Sequence, residues 1–304
     1  MRPDVTSIVL LSVALLVPGL SAQEPADPVE DAPLRFGVVS FYSPRMMYLK
    51  YQPLVDYLSK HTERQWELHI NTSYQQTVDE LCSGHLTAAY LGPLTYVRAH
   101  AKCGAEPVLR LQTGGRDTFR SYILVRDDSP VKELADLQGK RFGFGSALST
   151  SSHLVPRSML IKAGIELGDG TECLYFEHHE RAARAVLVGE ADACGVRDIV
   201  GERFLERGLR LLARSQPIPN FPFVVAPNGL DDVRRQLVHA LVELPQEDPE
   251  IARGIADWDE ELASGFVSSN DAEYDGVRAL AKEVFGPESL TLPEERLRCT
   301  EPDR

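Results

Sequence analysis

The chain has 304 residues, enough for two lobes that each bury a core, and 43% of its residues are hydrophobic. Its formal charge of −13 argues against nonspecific binding to nucleic acid, because no basic field is present to displace counterions from a phosphate backbone. The charge does not exclude a small anion as ligand, since neutral donors and helix ends act over short distances.

The N-terminus has the pattern of a cleaved export signal. An apolar run from Ile8 to Leu20 is too short to cross a bilayer comfortably, and Leu20-Ser21-Ala22 fits a signal-peptidase site. We therefore predict a signal peptide at residues 1–22, a mature start at Gln23 and a location outside the cytoplasm. Residues 23–33 are rich in proline and acidic residues, which predicts a disordered linker.

Five cysteines fall in the predicted mature chain: Cys82, Cys103, Cys173, Cys194 and Cys299. In an oxidising compartment one or two disulfides are expected, and the odd number leaves at least one thiol unpaired. The spacing does not determine which cysteines pair. None of them has C-x-x-C spacing, so the cysteines indicate neither a zinc site nor a redox motif. We expect no cofactor.

The first part of the mature chain alternates between strand and helix patterns. A strand pattern over Leu34 to Val39 leads through a loop into a helix that contains Tyr51 to Leu58, with its apolar residues on one face. Further strands are predicted near Trp66 to Ile70 and near Pro107 to Gln112, with two helices between them. This alternation predicts a mostly parallel sheet covered by helices on both faces.

The stretch from Gly139 to Gly164 opens a second α/β set and carries the clearest chemical signal. The run Arg141 to Gly145 predicts a buried strand, and four hydroxyl residues, Ser149 to Ser152, follow it. The amphipathic residues after them predict a helix that ends at Gly164, because glycine is favoured just beyond a helix C-terminus. The stretch therefore predicts a strand, a loop and a helix with hydroxyls at its start.

Hydroxyls at a helix start suit an anion. The first N–H groups of a helix lack internal partners, and the helix dipole makes that end positive. Side-chain hydroxyls beside them add donors that can rotate, so the cluster suits a phosphate-like or sulfate-like group. The alternative is that Ser149 to Ser152 only cap the helix, as serine and threonine do in many proteins.

Two α/β sets in sequence predict two lobes with a ligand cleft between them. A proline-rich segment, Pro217 to Pro222, returns the chain to the first lobe, and the tail from Leu230 onward predicts three helices. We expect lobe 1 to comprise residues 34–121 and 224–304, and lobe 2 residues 122–223.

Several short motifs occur in a fixed order along the mature chain. They are Phe36-Gly37-Val38-Val39, Tyr51-Gln52-Pro53-Leu54 with Tyr57-Leu58, Leu91 to Tyr96, Asp128-Ser129-Pro130 with Asp136 to Lys140, Phe144-Gly145 with Ser149-Thr150-Ser151, and Ser215 to Pro222. In this order and spacing the chain resembles the solute-binding proteins of phosphonate, phosphite and phosphate ABC importers, which are type II periplasmic binding proteins. The resemblance covers nearly the whole mature chain and implies a two-lobed α/β fold with a helical C-terminal tail.

The resemblance also implies ligand-binding residues. In that family the Ser-Thr-Ser run binds the phosphoryl oxygens, and it corresponds here to Ser149, Thr150 and Ser151. Ser152 stands where the family motif usually has glycine, which narrows the room expected near the ligand. A family histidine that contacts the oxyanion corresponds to His179.

Further candidates come from the first lobe and from the end of a strand in the second. Tyr51 matches an aromatic residue that lines the family's cleft, and Tyr42 could add a hydroxyl, although both could instead be core or rim residues. Leu91 replaces a tyrosine of the aminophosphonate binders, and no carboxylate pair for a ligand amine is evident. Arg197, beside Asp198, favours an anion, so a small oxyanion is expected rather than an aminoalkyl ligand.

The first functional hypothesis is an exported receptor, expected to be a monomer, that delivers phosphate, phosphite or a phosphonate to a membrane ABC permease. The alternative is a periplasmic oxyanion sensor that feeds a histidine kinase. In that case Cys103 could supply a thiolate for arsenite, unless it is buried or forms a disulfide with Cys82.

A hydrolase is the most remote hypothesis. Ser151, His179 and Asp198 could be drawn as a triad, but no G-x-S-x-G elbow precedes the serine, and the chain has no P-loop and no H-E-x-x-H motif. The hydroxyl run is better explained as a set of donors than as one activated nucleophile. We therefore predict no enzymatic activity and no catalytic residue.

Overall fold

The computed structural model describes residues 32–168, 170–227, 231–244 and 248–299. The predicted signal peptide and nearly all of the predicted linker lie outside the described residues. Over these ranges, no helix is at once long enough and apolar enough to span a bilayer.

The described chain contains thirteen strands and nine α-helices. The strands are β1 (Leu34–Val38), β2 (Trp66–Ile70), β3 (Ala88–Tyr90), β4 (Glu106–Leu111), β5 (Thr118–Phe119), β6 (Ser121–Arg126), β7 (Arg141–Phe144), β8 (Glu172–Tyr175), β9 (Ala193–Arg197), β10 (Leu209–Arg214), β11 (Ile218–Pro219), β12 (Pro222–Val225) and β13 (Phe266–Ser268). The helices are α1 (Pro44–His61), α2 (Tyr74–Cys82), α3 (Pro93–Cys103), α4 (Val155–Lys162), α5 (His179–Leu187), α6 (Asp198–Leu205), α7 (Asp231–Val238), α8 (Pro249–Ile255) and α9 (Asp275–Phe285).

Two sheets organise these elements. One has six strands in the order β13-β4-β12-β3-β1-β2, and the other has five in the order β10-β6-β9-β7-β8. The predicted two-sheet α/β fold is confirmed, but both sheets are mixed rather than mostly parallel. The reason is that β12 and β6 run antiparallel to their neighbours β3 and β9, because each carries the chain from one sheet into the other.

The two chain crossings run side by side between the sheets. Strand β5 precedes β6, strand β11 precedes β12, and the two short strands pair antiparallel through Phe119 with Ile218 and Thr118 with Pro219. Hydrogen bonds thus join the outgoing and returning segments into one ribbon.

Local sequence signals define where helix α3 begins and ends. Gly92 precedes Pro93, which occupies the first turn, where its missing N–H costs no helical bond. The helix ends at Gly104, whose φ of 73° lies in the left-handed region that glycine adopts without strain. The N-terminus of α3 therefore lies directly after β3, at a point facing the second sheet.

The tail differs from the prediction of three helices alone. It contains α7, α8 and α9, but also β13, which pairs antiparallel with β4 at the edge of the first sheet. Three residues are too few to produce a strand periodicity, so only the pairing with β4 defines this element.

The last described segment forms hydrogen bonds with both halves of the molecule. The buried Arg98 of α3 donates from Nη1 to the carbonyl of Ser289 at 2.7 Å and from Nη2 to that of Leu292 at 2.6 Å. Arg157 of α4 donates to the carbonyl of Leu297 at 2.9 Å. The segment therefore extends from the helix layer of the first sheet to that of the second.

Four of the five cysteines form disulfides. Cys82 bonds to Cys103, and Cys173 bonds to Cys299, while Cys194 keeps a buried free thiol. Burial raises the pKa of that thiol, which keeps it protonated at neutral pH. The Cys173–Cys299 bond fixes the end of the last segment to β8.

Replacing both Cys173 and Cys299 by serine should lower the free energy of unfolding by about 2–4 kcal/mol, because the bond closes a loop with a sequence separation of 126. Urea unfolding monitored by circular dichroism measures the change. Cys194→Ala, which breaks no disulfide, is the control. An unchanged midpoint in the double variant would contradict the role given to this bond.

Candidate functional site

The hydroxyl run adopts a wide π-helical turn at Thr150–Leu154, immediately before α4. Pro156 lies near the start of α4 and has no N–H to donate to the carbonyl four residues earlier. That carbonyl, of Ser152, instead accepts from the N–H of Gly145 at 3.2 Å. The carbonyl of Ser151 accepts from the Ser121 hydroxyl at 2.6 Å. Strands β7 and β6 thus fix the position of the turn.

Ser149 and Thr150 direct their hydroxyls toward other parts of the site. The Ser149 Oγ accepts from the N–H of Ser152 at 3.1 Å and lies 3.1 Å from Nε2 of His179. The Thr150 Oγ1 accepts from the N–H of Leu94 at 2.8 Å. Because Leu94 belongs to the first turn of α3, this bond brings together two helix N-termini, one from each half.

Ser151 and Ser152 differ although both are buried. The Ser152 Oγ accepts from the N–H of Gly145 at 2.8 Å and donates to the carbonyl of Gly195, so it connects β7 to β9. The Ser151 Oγ is buried and has no hydrogen-bond partner among the described residues. Ser152 is therefore a structural residue, and Ser151 carries a free donor.

His179 is fully enclosed and holds one defined tautomer. Its Nδ1 accepts from the N–H of Arg197 at 3.1 Å, which leaves the proton on Nε2. Burial, together with the positive charge of Arg197, lowers the pKa of His179 to about 3. The ring is therefore neutral at physiological pH and points its Nε2–H toward the Ser149 Oγ.

Tyr42 and Tyr51 lie in an aromatic layer of the first half. The ring of Phe41 contacts both tyrosines and also His179, with the His179 ring centroid at 6.0 Å. The hydroxyls of Tyr42 and Tyr51 are buried without a hydrogen-bond partner among the described residues. Burial raises the pKa of both phenols, so both are neutral donors.

Arg197 ends strand β9 and is completely buried. Its Nη1 pairs with Glu261 and its Nη2 donates to Asn220 at 3.0 Å, while its Nε has no partner among the described residues. Its guanidinium carbon lies 4.4 Å from the ring centroid of Phe221 and 4.9 Å from that of Phe119. Although burial opposes the charge, Glu261 raises the pKa of Arg197 above its ordinary value. The Nε–H is therefore a donor that a ligand can use.

The sequence interpretation missed Glu261, which lies in the tail before β13. Its side chain is 1% exposed, and its Oε1 bonds both Arg197 and the hydroxyl of Tyr90, the latter at 3.2 Å. Its Oε2 is buried and has no partner among the described residues. No local motif marks this glutamate, so only the tertiary structure reveals it.

Tyr74, at the start of α2, was also missed. It is buried against the site, and burial raises the pKa of its phenol, an effect that the neighbouring Ser149 hydroxyl partly offsets. An aromatic residue in the first turn of an amphipathic helix is common in cores, so the sequence carried no specific signal.

Buried polar atoms are nearly always hydrogen-bonded in native proteins, yet several in this region have no partner within the described part of the chain. They are the hydroxyl oxygens of Tyr42, Tyr51 and Ser151, Nε of Arg197 and Oε2 of Glu261. Four of these atoms belong to donor groups and one to an acceptor. Such a set suits a small polar ligand that accepts several hydrogen bonds and carries negative charge.

The remaining candidates do not join this set. Asp198 bonds the backbone N–H groups of Arg120 and Ile199, at 2.8 and 2.9 Å, so its carboxylate is already satisfied. His179 bonds Ser149 rather than Ser151, so Ser151, His179 and Asp198 do not form a triad. The hypothesis of an arsenite thiolate at Cys103 is wrong, because that sulfur is in a disulfide with Cys82.

Two mixed sheets, joined by a paired crossing and enclosing a donor-rich site at a helix start, define a periplasmic binding protein fold. The chain belongs to the family described as the periplasmic substrate-binding proteins of phosphonate ABC transporters, whose model matches residues 36–274. The protein is therefore a substrate-binding component of an ABC importer. The family works in the periplasm with membrane permeases.

Similar proteins support this assignment. The chain is 28% identical over 262 residues to the phosphate-import protein PhnD of Mycolicibacterium smegmatis, covering 78% of this chain and 81% of the relative. A binding-protein component of an ABC phosphonate transporter from Pseudomonas aeruginosa has a TM-score of 0.74 at 22% identity, over 88% of this chain and 92% of that one. PhnD1 of Prochlorococcus marinus in complex with methylphosphonate has a TM-score of 0.73 at 18% identity, over 83% of this chain and 98% of that one. These matches are to transport proteins, and the sensor hypothesis finds no support among them.

The neutral state of His179 predicts acid sensitivity. Above pH 6.5 neither the folded nor the unfolded chain protonates this ring, but below it only the unfolded chain does, until the folded pKa of about 3 is reached. The free energy of unfolding should therefore decrease as the pH is lowered from 6.5 toward 3. Between pH 7 and 5 the wild type should lose about 2 kcal/mol more than His179→Gln, measured by urea unfolding. Equal losses in the two proteins would show that the ring is protonated in the folded state.

Proposed function

We propose that the protein captures a small phosphorus oxyanion, namely phosphate, phosphite or a small phosphonate, and delivers it to an ABC permease without catalysing a reaction. The observation that carries this proposal is the group of buried, unpaired polar atoms around Ser151, Arg197 and Glu261. An anion with several oxygens would supply the missing partners.

The positions of the helix ends favour negative charge. The hydroxyl run leads into α4, and Thr150 contacts the first turn of α3 from the opposite side. Each N-terminus carries a partial positive charge, so both helix ends stabilise the same anion. The His179 ring is neutral, so its Nε2–H orients a hydrogen bond in the site without adding a full positive charge.

Two of the similar proteins bear on the ligand class. One is named a phosphate-import protein, and another was solved with methylphosphonate bound. Both ligands are small, tetrahedral and rich in acceptor oxygens, as the donors of this site require. For this protein we propose the ligand class that the two relatives share, and neither individual ligand.

Glu261 favours an anion that still carries a proton. Its free Oε2 is an acceptor in a buried site, and a ligand P–OH group is a donor that can satisfy it. Sulfate has no such proton at neutral pH and would place an oxyanion against a carboxylate. A ligand ammonium is also disfavoured, because Arg197 already pairs with Glu261 and adds a positive charge.

Capture requires the two halves to open and close. We propose that lobe 1 comprises residues 34–121 and 224–304, that lobe 2 comprises residues 122–223, and that both move about the paired strands β5 and β11. We further propose that residues 1–22 are a signal peptide and that the protein acts as a monomer.

Ser151→Ala provides the sharpest test of the site. The hydroxyl has no partner among the described residues, so removing it should leave the stability of the ligand-free protein nearly unchanged. Binding of phosphate or methylphosphonate should weaken roughly 10- to 150-fold, since one donor to a charged ligand is lost. Isothermal titration calorimetry measures the binding, and thermal unfolding measures the stability.

Ser152→Ala is the matched control for this test. Its hydroxyl bonds the backbone of Gly145 and Gly195, so its loss should cost about 1–3 kcal/mol of stability. The two serines are adjacent, yet their effects on stability should differ. If Ser151→Ala binds phosphorus oxyanions as tightly as the wild type, the assigned site is wrong.

A panel of anions tests the ligand class on the wild-type protein. Phosphate, phosphite and methylphosphonate should each bind at least about fivefold more tightly than sulfate, because a buried acceptor left unpaired costs at least about 1 kcal/mol. A phosphonate with an added ammonium group should bind more weakly than methylphosphonate. Equal affinity for sulfate would contradict the role proposed for Glu261.

A further inference from the structure

Two histidines and a glutamate lie together on the outer part of the first half. They are His69 on β2, Glu80 on α2 and His85 in the turn after α2, and one ligand atom from each lies within 4.8 Å of the others. We propose that these three residues form a binding site for a divalent transition metal, with zinc as the best match. The site is separate from the hydroxyl run and does not depend on the oxyanion function.

The residue types and spacing suit zinc. Two imidazole nitrogens and one carboxylate, with a fourth position open to water, form a recurrent zinc ligand set. With bonds of about 2.0–2.2 Å, tetrahedral ligand atoms lie roughly 3.3 Å apart. Nε2 of His69 is already 2.9 Å from Oε2 of Glu80, so two of the ligands are close to this spacing. The exposed His85 side chain has to approach by at most about 1.5 Å, since its ligand atom lies within 4.8 Å of the other two.

The carboxylate is held in place by two amides. Asn71 donates to Oε2 of Glu80 at 2.7 Å, and Gln76 donates to Oε1 at 2.9 Å. Such outer contacts orient metal-binding carboxylates in proteins. Asn71 is 2% exposed, and its own Oδ1 has no partner among the described residues. That oxygen can accept a hydrogen bond from a metal-bound water, which would satisfy a buried atom that is otherwise unpaired.

A cation already occupies part of this neighbourhood. Nη1 of Arg35 lies 3.2 Å from Nδ1 and 3.1 Å from Nε2 of His85. A guanidinium can only donate, and a neutral imidazole has a single acceptor nitrogen, so only one of these two contacts can be a hydrogen bond. Arg35 therefore competes with the metal for His85, and its charge opposes metal binding.

A bound metal would connect three elements of the first sheet layer. Strand β2, helix α2 and the turn at His85 would share one ion, next to the Cys82–Cys103 bond that joins the end of α2 to α3. Soft or imidazole-preferring ions such as Zn²⁺ and Co²⁺ suit this set, whereas Mg²⁺ and Ca²⁺ prefer all-oxygen sites.

The test uses the protein purified without a polyhistidine tag. Titration of the wild type with ZnCl₂, followed by calorimetry, should give one site per chain, and Co²⁺ should give visible absorption bands of a tetrahedral centre. His69→Gln, Glu80→Gln and His85→Gln should each weaken zinc binding by at least about tenfold. Arg35→Gln should strengthen it about fivefold, because it removes a nearby positive charge.

His239→Gln is the matched control, since His239 pairs with Glu243 at 3.2 Å on an exposed helical turn where the described residues offer no third ligand. It should leave zinc affinity unchanged. Circular dichroism without metal confirms that each variant is folded, and phosphate binding by each variant shows that the oxyanion site is intact. Zinc binding that is absent, or that is unaffected by His69→Gln and His85→Gln, would overturn the proposal. Weaker binding in Arg35→Gln would also contradict it.

Discussion

A buried positive charge governs the arrangement of the candidate site. Arg197 has no exposure to solvent, and an unpaired guanidinium in that position would cost several kcal/mol in lost hydration. Glu261 neutralises it from the tail, and Asn220 binds it from the returning crossing. These partners come from distant parts of the chain, so the ion pair ties the end of β9 to the first half. Even so, one donor and one acceptor of this pair, Nε of Arg197 and Oε2 of Glu261, have no hydrogen-bond partner among the described residues.

The second constraint is the backbone at Pro156. By removing one helical N–H, the proline frees the carbonyl of Ser152 for Gly145 and widens the first turn. A regular α-helix would rotate each hydroxyl of the run by a constant angle. In the wider turn, Ser149 and Thr150 bond toward the cleft while Ser152 bonds back to the sheet. The hydroxyls of one continuous run therefore have different hydrogen-bond partners.

The sequence predicted those features that depend on local residue patterns and on the order of motifs along the chain. Strands β1 and β7, the helix after Ser149–Ser152 and the glycine that follows this helix, Gly164, all follow from periodicity and capping. The grouping of Ser149 with His179 followed from resemblance, and the structure places them in contact. Glu261 lies 64 positions from its partner Arg197 and in no recognisable motif, so pairing of this kind requires the fold. The same is true of the disulfide connectivity and of β13.

The direction of the hydrogen bonds distinguishes a receptor from a hydrolase. In a serine hydrolase, histidine accepts the serine proton; here Nδ1 of His179 accepts from the backbone of Arg197, so Nε2 must donate. Ser149 Oγ then accepts from both His179 and the N–H of Ser152, which uses its two lone pairs. Its own proton must point elsewhere, and the neighbouring Tyr74 hydroxyl is an acceptor for it. His179 is therefore a donor toward Ser149 and not the acceptor that the histidine of a serine hydrolase is.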